Sequence, residues 1–284
     1  MKNRNIALVV ALFLSLDIFV WRTIALTKPS DNLNIYFLSV GQGDSELVIL
    51  PGGVKILIDA GPDNKVIGEL DSILRPTERY IDLVIVSHPQ ADHFNGFIDV
   101  LKHYQVGAFI HNGRAGAAQS WKELAQTVKE NKIPAVALAA GDKINYLESK
   151  LDILSPNENF INSKELNDTV LVALLQSQSA KVLFTGDVGK KIEDYLINKL
   201  DFKVDVLKVA HHGSKYSSGR EFLAAILPKI SVIEVGKNSY GHPTEEVLNR
   251  LAAVGAAIYR TDRDGTIKMV FPKKSSEIQV FKKK

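Results

Sequence analysis

The 284-residue chain has no cysteine and only two methionines and two tryptophans. Without cysteine there is no disulfide framework, and any metal must be held by nitrogen and oxygen donors. A bias toward one charge is also missing. The 35 basic and 32 acidic residues leave a formal charge of +3, which neither demands nor excludes a polyanionic partner. Gly41-x-Gly43 is too short for a dinucleotide fingerprint, and no phosphate-loop lysine motif occurs. No Gly-x-Ser-x-Gly elbow surrounds Ser214 or Ser217, which removes the serine-nucleophile reading. Long hydrophobic runs are nearly absent too. The run from Ile6 to Leu26 is interrupted by Asp17 and Arg22, so its unbroken part falls short of the ~20 apolar residues a spanning helix prefers. No small-x-small cleavage pattern follows it, so an uncleaved signal anchor is the reading, with Lys2 and Arg4 inside and the domain outside. The expected layout is a basic start at 1–5, an anchor at 6–26, a linker at 27–32 and one domain at 33–284. That layout predicts a single-pass protein of the cell membrane with its domain outside the cytoplasm.

What is present is a mixed α+β pattern. Short β-branched runs alternate with helical segments in both halves, which predicts two mixed sheets packed inside and helices outside over 33–272. Val106–Ile110 and Ala135–Leu138 read as short buried strands, and Asn95–Tyr104 as a helix. Four strands end alike. Lys55–Ile58 delivers Asp59, and Leu83–Val86 delivers His88. Val182–Phe184 delivers Asp187, and Asp205–Val209 delivers His211 and His212. The stretch Ser87-His88-Pro89-Gln90-Ala91-Asp92-His93 sits on a loop that Pro89 keeps from being helical. A lone histidine is more often a core or surface residue than a ligand, and an aspartate after a strand is usually a turn former or cap. Four such ends together make a shared metal site the better account. Imidazole and carboxylate suit zinc or manganese, and two such ions ~3.5–4 Å apart activate a water and stabilise a leaving oxygen together. A carboxylate such as Asp187 could bridge them.

Taken together, these motifs carry a resemblance. Ser87-His88-x-x-x-Asp92-His93-x-x-Gly96 is similar to the signature of the metallo-β-lactamase fold hydrolases, a four-layer αββα sandwich. The stretches Phe37–Ser45, Ile58–Pro62, Leu183–Asp187, Leu207–Lys215, Asn238–Pro243 and Ile258–Gly265 resemble one branch more closely. That branch is the external hydrolase-like domain of the DNA-uptake membrane protein ComEC and its free-standing relatives. The resemblance implies His88, Asp92, His93, Asp187 and His212 as metal ligands, with one or two ions of zinc or manganese per chain. It implies Asp59 as a residue that orients the site by hydrogen bonding. Among catalytic residues it implies Asp92, His211 as a supporting residue or proton donor, and His242 on phosphate or a leaving group. Asn238, Lys215 and Ser214 fall at substrate-contacting positions. Two departures stand out: Gln90 occupies the place of the signature's middle histidine, and Asn167-Asp168-Thr169 sits where a third histidine belongs. Asp92, His93, Asp187 and His212 are therefore expected to hold the better-furnished ion, and His88 with Asp187 the poorer. The implied partners are a phosphodiester substrate, DNA first of all, the membrane through the N-terminal helix, and a DNA-uptake machinery. A choline-phosphate ester of the envelope is the nearest other substrate, and a non-catalytic binding module the rival class. Lys208, Lys215, Arg220, Arg260, Arg263 and Lys268 read as a solvated face or a phosphate-tracking rim. Tyr216 and Tyr240 read as core or rim packing rather than base-stacking groups, and the lysines at 273–274 and 282–284 as a solvated tail.

Overall fold

The computed structural model describes the chain except residues 1, 28, 29, 179, 200–202, 274, 276 and 284, and, within the first helix, except the side chains of 2–4, 7 and 23–27. The expected linker therefore lies partly outside the described residues, as do Lys274 and Lys284. Helix α1 (Lys2–Thr27) carries exposed apolar side chains from Ile6 to Trp21. Among the described residues no helix is long and apolar enough to cross a membrane.

The first half runs β1 (Leu33–Phe37), β2 (Glu46–Ile49), β3 (Lys55–Ile58), α2 (Lys65–Ile73), β4 (Tyr80–Ile85), α3 (Ala91–Phe94) and α4 (Phe97–His103). It continues with β5 (Gln105–His111), α5 (Gln119–Glu130) and β6 (Ala135–Ala137). The second half runs β7 (Lys143–Tyr146), β8 (Ser149–Ser155), β9 (Val172–Ser177), β10 (Ala180–Phe184), α6 (Lys190–Ile197) and β11 (Val206–Lys208). Then follow α7 (Arg220–Ile226), β12 (Ile230–Ile233), α8 (Glu245–Ala253), β13 (Ala257–Arg260), α9 (Thr261–Asp264), β14 (Thr266–Phe271) and β15 (Gln279–Lys283). One sheet has the order β15-β14-β1-β2-β3-β4-β5-β6 and the other β13-β12-β11-β10-β9-β8-β7.

Strand alternation builds the layers. In β1, Leu33, Ile35 and Phe37 point into the space between the sheets, where they join Val182, Phe184, Val206 and Val232. Phe37 and Phe184 meet across that space with ring centroids 6.4 Å apart. Burying each such large side chain contributes ~1.5–3 kcal/mol. On the outer face of the first sheet, Val66, Leu70, Phe97 and Leu124 of the helices cover Leu57 and Val84. On the second sheet, Ile192, Leu196, Phe222 and Leu251 cover Leu183 and Leu207. Helices outside and two sheets inside make the four layers that the sequence pattern predicts.

Three local expectations are corrected. Ala91–Phe94 is a helical turn, not loop, because Pro89 constrains only the residue before it and Gln90 in extended conformation already serves as the N-cap. Strand β6 is exposed throughout, since it is the sheet's edge. Lys282 belongs to an edge strand, where its ammonium donates to Asp264 at 3.0 Å, and is not part of a solvated tail.

Candidate metal centre

The parallel strands of both sheets deliver their carboxyl ends to one place. β3 pairs parallel with β4 and β10 parallel with β11, so Asp59, His88, Asp187 and His212 emerge side by side at a seam between the sheets. Ligand sites collect at such strand ends. The loop before β2 closes the floor. Gly43 holds a positive φ of 156°, and a Cβ there would lie 2.2 Å from the Asp92 carbonyl oxygen, so only glycine lets this loop reach α3. The ligand loop after β11 is bent harder still. His211 and His212 both adopt left-handed backbone, with φ of 52° and 53°. Such a conformation costs a residue with a Cβ ~1–2 kcal/mol, and here it turns both imidazoles toward Asp187.

Donor atoms of Asp92, His93, Asp187 and His212 all lie within 4.8 Å of one another. His93 Nε2 is 3.4 Å from Asp187 Oδ1, and His212 Nε2 is 3.4 Å from Asp92 Oδ2 and 3.7 Å from Asp187 Oδ2. The Asp92 side chain is 35% exposed, which makes it the mouth of the site, whereas the other three are buried. His88 Nε2, His93 Nε2, Asp187 Oδ1 and His212 Nε2 are buried without a hydrogen-bond partner. Three of these atoms belong to the converging group, and His88 lies outside it with its ring centroid 4.2 Å from that of His93; a divalent cation would satisfy such orphaned atoms.

The opposite ring nitrogens are tied down. His93 Nδ1 donates to Asp59 Oδ2 at 2.7 Å, and His212 Nδ1 donates to the Glu234 carbonyl at 2.8 Å. Ser87 Oγ donates to Asp59 Oδ2 at 2.5 Å, and it lies 3.0 Å from His88 Nδ1, from which it accepts. Asp59 therefore orients His93 directly and His88 through Ser87. These bonds fix the tautomers so that every Nε2 is left free to ligate.

Charge supports the same assignment. Burial alone would push the His212 imidazole down, but Asp187 and Asp44 outweigh it and raise its pKa to about 10. Burial likewise opposes a charged Asp187, yet His212 and His93 hold its carboxyl well below the usual carboxylate range. Burial, then His93 beside it, pushes His88 down to about 3, so it stays neutral. Protons on His93 and His212 thus balance the carboxylates, and a divalent cation would take over that balance. Metal titration near pH 7 should accordingly release protons, seen by calorimetry in buffers of different ionisation enthalpy. Apparent affinity should rise with pH, because the ligand form of His212 is its deprotonated one. A titration with no buffer dependence would contradict this arrangement.

On the His88 side the neighbours are amides. Gln90 Nε2 donates to Asn167 Oδ1 at 2.8 Å, and Asn167 Nδ2 lies 3.5 Å from His211 Nδ1. His211 stands at the mouth, its Nε2 3.8 Å from Asp187 Oδ2, with His242 at 5.7 Å between ring centroids. Asn238 spends its side chain on its own loop, donating to the Gly236 and His242 carbonyls at 2.9 Å each. Lys215 is exposed, and Ser214 is buried with its hydroxyl 3.4 Å from the Tyr216 amide.

Besides Ser87, two residues of the site escaped the sequence reading. Lys208, read as part of a cationic face, is fully buried; its ammonium bonds Asp44 and donates to the Gly186 carbonyl at 3.1 Å. Asp44 in turn reaches His212 Nδ1 at 3.3 Å and His93 Nδ1 at 3.6 Å. The available signal was a lysine inside the apolar run Val206–Val209.

A family model described as the metallo-beta-lactamase superfamily matches residues 38–236. The chain belongs to the metallo-beta-lactamase superfamily. Among curated members, ComE operon protein 3 of Bacillus subtilis (strain 168) is 28% identical over 263 residues, covering 86% of this chain and 34% of that protein. Competence protein ComA of Neisseria gonorrhoeae is 30% identical over 269 residues, covering 89% of this chain and 35% of that protein. The chain thus spans about a third of the length of these relatives. The metallo-beta-lactamase fold protein YhfI from Bacillus subtilis shares the fold with a TM-score of 0.57 at 13% identity, over 82% of this chain and 97% of that one.

Proposed function

We propose that the chain is a membrane-anchored, metal-dependent phosphodiesterase that faces outward and cuts extracellular DNA. The observation that carries this reading is the convergence of Asp92, His93, Asp187 and His212, with unpartnered buried nitrogens aimed at one point and a mouth at Asp92. The donor set is nitrogen and oxygen only, which suits zinc or manganese. When bound, such a cation supplies a lowered pKa for water and a Lewis acid for the phosphoryl oxygen. The chain's own residues do the rest. Asp59 holds His93 and His88 in place, and Asp92 offers a partly exposed carboxylate at the entrance. Burial keeps His211 and His242 below the ordinary histidine pKa, so both are neutral near pH 7 and able to exchange a proton with an attacking or leaving oxygen. DNA as substrate is supported by the names of the competence-protein relatives. The amides beside His88 support one tightly held ion, with a second equivalent that is lost on dialysis.

A second reading, a binding module, is favoured by the Gln90–Asn167 amide pair, which replaces ligating groups with neutral ones. The test is a phosphodiesterase assay on single-stranded DNA with added manganese or zinc, alongside metal analysis per chain. Turnover with one or more ions retained supports the enzyme. Turnover of a choline-phosphate ester alone moves the substrate, and tight DNA binding without turnover moves the class. The anchor rests on the exposed apolar side chains of α1 and the basic start. Protein recovered from membranes should retain residues before Thr27, and an N-terminus at or after Thr27 would replace the anchor with a signal peptide.

A further inference from the structure

We propose that Tyr240 and Tyr216 form a base-stacking rim that leads a single strand of nucleic acid into the metal centre. The proposal rests on the phosphodiesterase reading and adds the class of strand the site takes. Both tyrosines are turned outward, 74% and 72% exposed, and among described large apolar side chains beyond α1 only Leu147 is more so. Large aromatic surface left in water beside a ligand site marks a contact surface.

Tyr240 is the outer end of a file of rings. Its ring stacks on His242 at 5.7 Å between centroids and 29° between planes, His242 lies 5.7 Å from His211, and His211 lies 6.2 Å from His212. The file ends at His211 and His212, whose Nε2 atoms lie 3.8 Å and 3.7 Å from Asp187 Oδ2. The mounting is rigid. Asn238 Oδ1 accepts from the Tyr240 and His242 amides at 3.0 Å each, while its Nδ2 holds the carbonyls on either side. The loop is fastened to the His211–His212 loop by the Thr244 amide, which donates to the Gly213 carbonyl at 3.0 Å. A Cβ on Gly213 would sit 2.6 Å from Pro243 Cβ, so the two loops meet in direct contact. Tyr216 stands on that second loop, where Arg250 donates to the Lys215 carbonyl at 3.1 Å and the Lys215 ammonium lies 5.2 Å from the Tyr216 ring centroid.

The chemistry selects the ligand. An unpaired base offers a π-face to each tyrosine, and the strand's phosphates offer anions to Lys215 and to exposed Lys237 nearby. A duplex keeps those faces stacked inside itself and cannot present them. A choline headgroup also seeks aromatic faces, but here the Tyr216 face already carries an ammonium, and two lysines make the rim cationic.

The experiment uses the full chain loaded with manganese or zinc, with Tyr240→Leu, Tyr216→Leu and the double variant, and with Tyr240→Phe as the conservative control. Affinity for a labelled single-stranded oligodeoxynucleotide should fall roughly 5- to 150-fold for each lost ring, and Tyr240→Phe should bind like the parent. Metal content and hydrolysis of bis(p-nitrophenyl) phosphate should stay near the parent's, because the rings only line the approach. An oligonucleotide made abasic beside the cut site should bind the parent and Tyr240→Leu equally. Leucine variants that bind and cut like the parent overturn the rim but leave the phosphodiesterase reading standing. Equal use of duplex DNA, or tyrosine dependence only for a choline-phosphate ester, overturns the strand class. No hydrolysis of the small diester, together with no DNA binding, removes both readings.

Discussion

Asp187→Ala should abolish hydrolysis and lower the retained metal together. Asp187 follows β10 and, among the described residues, is the only carboxylate within reach of three imidazoles: His93 at 3.4 Å, His212 at 3.7 Å and His211 at 3.8 Å. Removing it strips one ligand and takes away the carboxylate that faces the Nε2 atoms of His93, His212 and His211. The expected loss in kcat/KM exceeds the roughly 10²–10³-fold that a single lost electrostatic partner costs, because this carboxylate serves both ion and proton carrier. His103→Ala and His111→Ala should keep near-parent activity. His103 bonds within α4, to the Asp99 carbonyl at 2.8 Å, and His111 Nδ1 accepts from the Gly113 amide at 3.0 Å. The measurement is a parallel rate assay and metal analysis on all three variants. Full activity in Asp187→Ala removes the metal mechanism built on this cluster.

Asp59, His88, Asp187 and His212 were legible because each stands just past an apolar strand, and a strand's end dictates where its next residue goes; Asp92 and His93 followed from their spacing after His88. Four chain segments carrying the same chemistry could be matched without knowing their packing. The polar partners beneath them were not legible in the same way. Asp44, Ser87 and Lys208 look like ordinary flanking residues, and only the register between the two sheets brings Asp44 of one half against Lys208 of the other. Lys208 shows the difficulty best. A lysine near motif loops reads as a solvated cation, yet β11 is the third strand of a seven-stranded sheet, buried on both faces. Tyr216 and Tyr240 fail in the other direction, since a lone aromatic reads as packing and only the fold turns these two outward. The helical turn at Ala91–Phe94 was hidden by Pro89, whose restriction falls on His88 and leaves Gln90 free to cap the turn.

Lys208→Met should destabilise the domain more than any surface substitution, by about 3–5 kcal/mol, the cost of removing one partner of a buried ion pair. Both side chains of the pair are buried, at 0% and 1% exposure, so solvent screens nothing. The ammonium is a permanent cation inside a group of acids. Asp44 bonds it, Asp187 lies 4.0 Å away, and Glu46 and Glu234 complete a carboxylate cluster with Asp44. Burial alone would lower the Lys208 pKa, but Asp44 and Asp187 raise it above the usual lysine value. Burial would raise that of Asp44, but Lys208, His212 and His93 hold it well below the carboxylate range. The sign follows. A depressed carboxylate contributes stability that is complete above its unfolded pKa of about 3.9 and is lost as pH falls below that. In Lys208→Met the balance at Asp44 shifts toward burial, so Asp44 there takes up a proton more readily. The gap between variant and parent should therefore be widest near pH 7 and shrink toward pH 4. In a domain of this size the shift in thermal midpoint should be roughly 6–20 °C at neutral pH. Adding Asp44→Asn to Lys208→Met should restore much of that stability, since no buried charge is then left alone. The double variant should still bind metal about 10–100-fold more weakly, because the Asp44 carboxylate beneath His93 and His212 is gone. A Lys208→Met protein that melts with the parent, or a double variant no more stable than the single one, would show that Asp44 and Lys208 are not the pair that holds the two sheets together beneath the site.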